Sequence, residues 1–577
     1  SMDAVNNFMS AVNAVLWHDI VLILLLGTGV MFTFWSGFSQ YRALTHGSQV
    51  LRGKYDDPND PGAINHFQAL SAALSATVGL GNIGGVALAV SLGGPGAVFW
   101  MWVVGFFGMS IKLTEVTLSM LYRNTDDPDN PHGGPMWVAS KALALMDPKW
   151  ATLGKIIGGI FCVTLLVSTV TGGNMFQAWN VGVITEEYFQ IPSVATGIVL
   201  AVLVGMVIIG GIKRIGAVAG RLVPTMVTLY ILSALYVLFV HFDKIPEMLK
   251  LIVTSAFSPT EATGAFIGGT VGTAFLFGMK RALFSNEAGQ GSSPIAHSAA
   301  KTDEPVREGL VAGLEPFIDT IVVCTMTALV ILSTGVWNRS AEVEYEVMPS
   351  VVPVDLNLWS VEDSALPRRD EGQWTVGENV YLVLSAHQNR GSGNNLHQLN
   401  GVVDRFPTGG YFVDWEEFES VEKPRLRDGG IYYSYEGATL TAKAFDTVAP
   451  GLGKWLVTMA AWLFAISTMI SWSYYGEQGI VYLFGDKAVL GYKFIYCLLI
   501  IVATMGFITT NKELDNLTGI GTGVMLFANI PILWFFGYQA IRAYKEYIGR
   551  LTSGRMEEGH KAPSIEDLIS GRDVEQR

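Results

Sequence analysis

The chain has 577 residues, 50% of them hydrophobic and 15% charged, and a mean hydropathy of +0.37. That is more apolar surface than one water-soluble core can bury, so a membrane has to be the solvent. The net charge of −13 and the pI of about 5.2 exclude a nucleic-acid binder, which needs a basic face. No nucleophile, base and orienter form a motif, so the chain does not read as an enzyme. Cys162, Cys324 and Cys497 sit in apolar stretches without metal-ligand spacing and read as reduced, packed thiols.

Apolar runs long enough to cross about 30 Å of hydrocarbon, roughly 20 residues each, fall near 17–38, 64–91, 95–121, 154–183, 191–212, 217–241, 262–290, 309–336, 452–484, 488–509 and 515–541. The expected fold class is therefore an all-α integral membrane protein with about eleven transmembrane helices. No cleavable signal peptide is expected before the first span. The stretch from Pro246 to Ile252 is short and amphipathic, which predicts an interfacial helix within 242–261.

Lysine and arginine mark cytoplasmic loops. Arg42, Arg52 and Lys54, then Arg123, Lys141 and Lys149, then Lys213, Arg214 and Arg221, then Arg281, Lys301 and Arg307 alternate with loops nearly free of them, with Lys244, Lys250 and Lys512 as exceptions. This predicts a multi-pass protein of a bacterial-type inner membrane, with the N-terminus outside and the tail 542–577 in the cytoplasm. From 337 to 450 acids outnumber bases, Gly391–Asn395 reads as a loop, and Tyr411–Trp415 and Ile431–Tyr435 alternate as strands do. The expectation is an acidic extracytoplasmic insertion with β-hairpins.

The second span contains Ser75-Ala-Thr-Val-Gly-Leu-Gly-Asn-Ile-Gly-Gly85, a glycine cluster inside an apolar helix. Gly79, Gly81 and Gly84 match a dinucleotide fingerprint, but no strand precedes them and the next acid, Glu115, lies too far on. A close-packed helix seam is one reading. The other is an unwound segment, tolerated in lipid only where bare backbone lines a cavity or binds something. The span over 262–290 repeats the feature, with Gly264, Gly268, Gly269 and Gly272 before Phe275-Leu-Phe-Gly278-Met-Lys-Arg281 and Ser285-Asn-Glu-Ala-Gly-Gln-Gly291. With 1–63 set aside as an extra span and loop, 64–241 and 262–541 form two sets of five helices, the inverted repeat expected of a secondary transporter.

The chain resembles the alanine or glycine:cation symporter family, within the transporters of the leucine-transporter (LeuT) fold. The resemblance rests on Gly79-Leu-Gly-Asn-Ile83, Gly93-Gly-Pro-Gly-Ala97 with Phe99-Trp-Met-Trp102, Gly133-Gly-Pro-Met136, Asn174-Met-Phe-Gln-Ala178, Ser285-Asn-Glu-Ala-Gly289, Phe317-Ile-Asp-Thr320 with Cys324-Thr325, and Ser471-Trp-Ser-Tyr-Tyr-Gly-Glu477. It departs from the family at Leu80, where relatives commonly carry threonine, and in the long outside segment, where they usually have a short loop.

The resemblance implies a sodium-coupled carrier of a small zwitterionic amino acid, alanine or glycine, working by alternating access. It implies that Asn82 contacts the substrate together with Thr77, Gly79 and Gly81 of the opened segment, and that Gln177, supported by Asn174, takes the amino group. Phe275, Phe277, Gly278 and Met279 are expected to wall a small side pocket. Trp472 either gates that pocket or packs a neighbouring helix. For sodium, the hydroxyls of Ser467 and Thr468 are expected to join the carbonyls of Ser75 and Val78. Asp319, expensive inside a span, is expected in a coupling or structural role. Lys112 and Glu115, three apart, are expected to pair, with Glu287 capping a helix end.

Two other readings stand beside this one. One is a proton-coupled carrier of the same amino acids with Asp319 titrating. The other is an amino-acid sensor, or an assembly partner, in which the outside segment 337–450 does the binding, of the amino acid or, through self-association or a partner, of another chain.

Overall fold

Backbone polar groups cannot be left bare in hydrocarbon, so each apolar run closes its hydrogen bonds within itself as a helix. The computed structural model describes residues 2–556 and 560–572. In chain order its main helices are α1 (Met2–Leu16), α2 (Asp19–Trp35), α3 (His66–Thr77), α4 (Gly81–Gly93), α5 (Gly96–Leu121), α6 (Pro135–Met146), α7 (Pro148–Phe189), α8 (Ser193–Val207) and α9 (Gly211–Val240). There follow α10 (Ile245–Ser255), α11 (Val271–Asn286), α12 (Ser293–His297), α13 (Pro305–Thr334), α14 (Ala438–Val448), α15 (Leu452–Phe484), α16 (Val489–Ala503), α17 (Asn511–Thr552) and α18 (Ile565–Ser570).

Among the described residues, six helices are long and apolar enough to cross a membrane: α5, α7, α9, α13, α15 and α17. The bent pairs α1/α2, at 47°, and α3/α4, at 54°, bring the number to eight. The other three of the eleven expected runs become α8, α11 and α16, of 15, 16 and 15 residues. α8 ends at a 3₁₀ turn and Gly211, whose φ is +70°, and α16 gives way to Thr504, Met505 and Gly506, with φ +92°.

Helix α1 lies ahead of the first expected span. Asn6, Asn7, Ser10 and Asn13 lower its hydropathy, and of these Asn13 is buried against α17, where its Nδ2 donates to Asn516 O at 2.9 Å and Trp17 Nε1 donates to Gly519 O at 3.0 Å. α10 falls where the interfacial helix was expected.

The acidic insertion folds as two small sheets. One runs β1 (Val343–Glu344), β9 (Gly430–Tyr433), β4 (Asn379–Ser385), β5 (Leu396–Arg405), β6 (Tyr411–Trp415), with β8 (Arg425–Leu426) also on β4. The other is β2 (Val351–Asp355), β3 (Leu358–Val361), β7 (Phe418–Glu419), all antiparallel. Val351 and Val361 of the second sheet join Val380, Leu382, Leu399, Val403 and Val413 of the first in one apolar core. The strands stop at Tyr433, short of the expected end at 450. Residues 438–448 are instead helix α14, held to the membrane helices by Thr441 Oγ1 donating to Ile83 O at 2.8 Å.

Candidate functional site

Helix α3 starts on a capping box, Asn65 with Gln68, and ends at Val78, whose φ and ψ of −80° and 93° leave the helix. Four of the groups freed there meet side chains. Gly79 N–H donates to Asn82 Oδ1 and Leu80 N–H to Gln177 Oε1, both at 2.9 Å. Ser75 O accepts from Ser467 Oγ at 3.1 Å and Thr468 Oγ1 at 3.0 Å, and Thr468 Oγ1 also reaches Val78 O at 3.3 Å. The structure thus brings together the four oxygens expected to hold sodium. They are neutral and hard, a donor set that suits an alkali cation once the hydroxyl protons turn away. Glycine is required at 79, because a Cβ there would overlap Thr468 Oγ1 and come within 2.9 Å of Gln177 Oε1.

Asn82 is placed differently from the expectation. Its Nδ2 donates to Asp319 Oδ1 at 2.8 Å and Asp319 O at 3.0 Å, while its Oδ1 takes Gly79 N–H. The amide is therefore turned into the protein, because a buried carboxylate needs donors more than a cavity does. Asp319 completes its set with Ser285 Oγ at 2.8 Å and Thr320 Oγ1 at 2.9 Å. Gln177 donates to Gly172 O at 2.9 Å, and Asn174 donates to Tyr496 O at 2.8 Å. Gly81–Gly85, Thr171–Met175 and Phe317–Cys324 each form a π turn, and the three supply Asn82, Gly172 with Asn174, and Asp319. π turns cluster at functional sites but have no composition by which a sequence shows them.

The second break is not at the glycines of 264–272. That segment runs beneath the insertion, where Asn394 Nδ2 donates to Ile267 O at 2.8 Å and Tyr381 OH to Ala265 O at 2.9 Å. The helix opens after Asn286 instead. Glu287 (φ +59°), Gly289 (φ +83°) and Gly291 (φ +88°) take left-handed conformations, and α12 resumes at Ser293. Gly291 admits no side chain, since a Cβ would stand 2.5 Å from Pro135 Cγ and 2.9 Å from Phe161. Here Gly289 N–H donates to Glu115 Oε1 at 3.3 Å, and Asn529 Nδ2 bridges Glu115 Oε2 at 3.1 Å and Gly289 O at 2.7 Å.

Because the break lies this far along the helix, the expected side-pocket residues sit about two to three turns before it. Phe275 packs edge-on to Trp100 with centroids 4.8 Å apart, Gly278 lies against Ala97 and Trp100, Met279 is in the core, and Phe277 lines an outer cavity. The aromatic at the break is Phe284, packed on Phe176 at 4.7 Å.

Between the two breaks is a closed cavity of about 10 Å³, room for one water-sized body. Thr77, Gly81, Gln177, Phe284, Glu287 and Trp472 line it. Further out, α1, α11 and α17 and the insertion enclose about 480 Å³. Lys280 with Asp515, 2.6 Å apart, lies on its wall. Arg281, 3.3 Å from Asp515, stands over the Phe284 ring at 4.9 Å, between the two cavities. Arg281 is thus a buried helix residue and leaves the set of loop bases.

Below the cavity lies a buried ionic chain that sequence reasoning did not assemble. Lys112 does not pair with Glu115: it contacts Ser293 and lies 3.7 Å from Glu315. His297 joins Glu315 to Glu308, and Glu308 meets His66. Each residue alone carried a signal, an ionisable group in or beside an apolar run, but their partners come from segments up to 242 residues apart.

Broken helices meeting round a closed polar cavity, in a helical membrane protein, mark a solute carrier. The chain belongs to the sodium:alanine symporter family, whose profile matches residues 2–361 and 428–561. It is 35% identical to the sodium/alanine symporter AgcS of Methanococcus maripaludis, over 92% of this chain and 94% of that one. It is 31% identical to the putative sodium/proton-dependent alanine carrier protein YrbD of Bacillus subtilis, over 94% and 92% respectively. With the probable sodium/glutamine symporter GlnT of the same organism it shares 35% identity over 64% of this chain and 72% of that one.

Proposed function

We propose that this protein carries alanine or glycine across the membrane together with sodium, by alternating access. The observation that carries the reading is the meeting of Ser75 O and Val78 O with the hydroxyls of Ser467 and Thr468, one turn from the cavity wall at Thr77. A cation there would tie the opened helix α3 to α15, and its release would free them to part.

Gly81 begins α4 and lines the cavity, so the positive end of that helix faces a substrate carboxylate. Thr77, Gln177 and the Glu287 carboxylate offer acceptors to the ammonium group, and Phe284 and Trp472 bound the side that a small side chain would occupy once the cavity widens from its present volume of about 10 Å³. Asn82 acts through Gly79 and Asp319 rather than on the substrate, and Asn174 holds α7 to α16. The names of the relatives favour alanine, with glutamine as the larger competitor. The same reading takes α8, α11 and α16 as crossing helices, giving two inverted sets of five after the α1/α2 pair, with the insertion outside.

Uptake of labelled alanine and glycine into proteoliposomes under imposed sodium or proton gradients tests this. Uptake should follow the sodium gradient, and sodium should tighten alanine binding by the factor by which alanine tightens sodium. An alanine affinity indifferent to sodium would overturn it. Three hydrogen bonds fix Asp319, which favours a positioning role over the proton-coupled alternative; uptake driven by a pH gradient alone and lost in Asp319→Asn would reverse that choice.

A further inference from the structure

The ionic chain beneath the cavity is not used by the mechanism above. His297 is fully buried between two carboxylates: Nδ1 is 2.5 Å from Glu308 Oε1 and Nε2 is 2.8 Å from Glu315 Oε2. A neutral imidazole has one N–H and can donate to one of them. The other contact sets a ring lone pair against a carboxylate lone pair unless a further proton lies between them. His66 cannot supply it, because its Nδ1 already meets Glu308 Oε2.

Charge counting gives the same answer. Lys112 contributes one positive charge against the two negative charges of Glu308 and Glu315, all at 0% side-chain exposure. One bound proton brings the chain to neutrality, and without it a net negative charge is left where burial makes it most costly.

The participants come from four elements: His66 opens α3, His297 closes α12, Glu308 and Glu315 are on α13, and Lys112 is on α5. α3 and α12 are the halves of the two broken helices that lie below the cavity. The other ionisable groups facing the chain are Glu115 of α5, Arg123 just beyond its end, Glu287 at the second break, Asp319 of α13, the phenol of Tyr475 on α15 and Asp60, which faces His66 and, with Asp303, Arg123. Arg123 is occupied by the carbonyls of Ser298, Ala300 and Thr302, and Glu115 by Gly289 and Asn529, so neither replaces the missing donor.

We propose that His297, Glu308 and Glu315 form a proton-binding site, in which one shared proton latches the lower halves of the two broken helices to each other through α13. The proton belongs to the group rather than to one residue. It is favoured while the latch is closed, so the latch is secure at low pH and is lost as pH rises through the site's titration. By linkage, separating α3 from α12 weakens proton binding by the same factor.

The test is hydrogen–deuterium exchange on the purified full-length protein between pH 6 and 9, followed over 63–70 and 293–304. Wild type is compared with Glu308→Gln at each pH so that intrinsic exchange cancels. A glutamine at 308 accepts from His66 and donates to neutral His297, which donates to Glu315, so every contact closes without an extra proton. Wild-type protection of both segments should fall about tenfold relative to Glu308→Gln as pH rises, within the usual range of coupling. Parallel behaviour of the two proteins would overturn the proposal. If Glu308→Gln does not fold, Glu315→Gln removes the other carboxylate, and a wild-type-like pH step in that variant overturns the proposal equally. The readout needs no transport and therefore stands apart from the sodium reading.

Discussion

The two breaks solve one problem with opposite chemistry. At Val78–Leu80 the exposed carbonyls face hydroxyls from α15, and the exposed N–H groups take neutral amide oxygens from Asn82 and Gln177. At Glu287–Gly291 a buried carboxylate, Glu115, takes the backbone N–H and Asn529 closes the pair. The first arrangement exchanges partners cheaply, since a hydroxyl that donates to a carbonyl can turn and offer its lone pairs to a cation. The second is costly to disturb, since a charge left short of a donor in the interior loses a charge-assisted hydrogen bond. Under the proposed function, the exchange of the cation belongs to the first break, and the backbone of the second is a rigid support for the Glu287 carboxylate.

That division can be broken or sharpened by substitution. Gly79→Ala drives a methyl into Thr468 Oγ1 and should lower sodium-driven alanine uptake by roughly a hundredfold or more, the largest effect expected, measured in proteoliposomes. Thr468→Ala removes one hydroxyl shared by two carbonyls. It should raise the half-saturating sodium concentration by about tenfold, with alanine affinity at saturating sodium little changed. Asn529→Ala leaves Glu115 Oε2 and Gly289 O each short of a donor. It should lower stability by about 1–3 kcal/mol, seen as a lower melting temperature, with a smaller effect on the sodium dependence than Thr468→Ala. A larger sodium effect at Asn529 than at Thr468 would reverse the assignment of the two breaks. Removal of 362–427, the stretch the family profile leaves unmatched, should keep uptake within about twofold, because that stretch, unlike α14, meets the membrane part at segment 262–270 and at neither break.

Much of this was legible in the sequence. The apolar runs, the opened second span and the Ser467–Thr468 pair follow from hydropathy, from glycine and from the resemblance, and the structure sets those hydroxyls against Ser75 O and Val78 O. Asn82 was misplaced because a motif gives a residue's neighbourhood and not its rotamer, and Asp319, 237 residues away, claimed its amide. The second break was drawn too early because the glycines at 264, 268 and 269 serve close approach to Asn338, Ser392 and Phe266. The latch at His297 was invisible because its members are scattered along the chain and meet only when α3, α5, α12 and α13 pack.

The π turns at Gly81–Gly85, Thr171–Met175 and Phe317–Cys324 bear on movement. Each is wound looser than the α-helix that carries it, and a residue added to or lost from an α-helical turn rotates everything beyond it by about 100°. Moving any one of the three along its helix would swing Asn82, Gln177 or Asp319 to a new bearing while the residues outside the shifted stretch stayed in register with their neighbours. The bundle thereby carries slack at the few positions where polar side chains must trade partners.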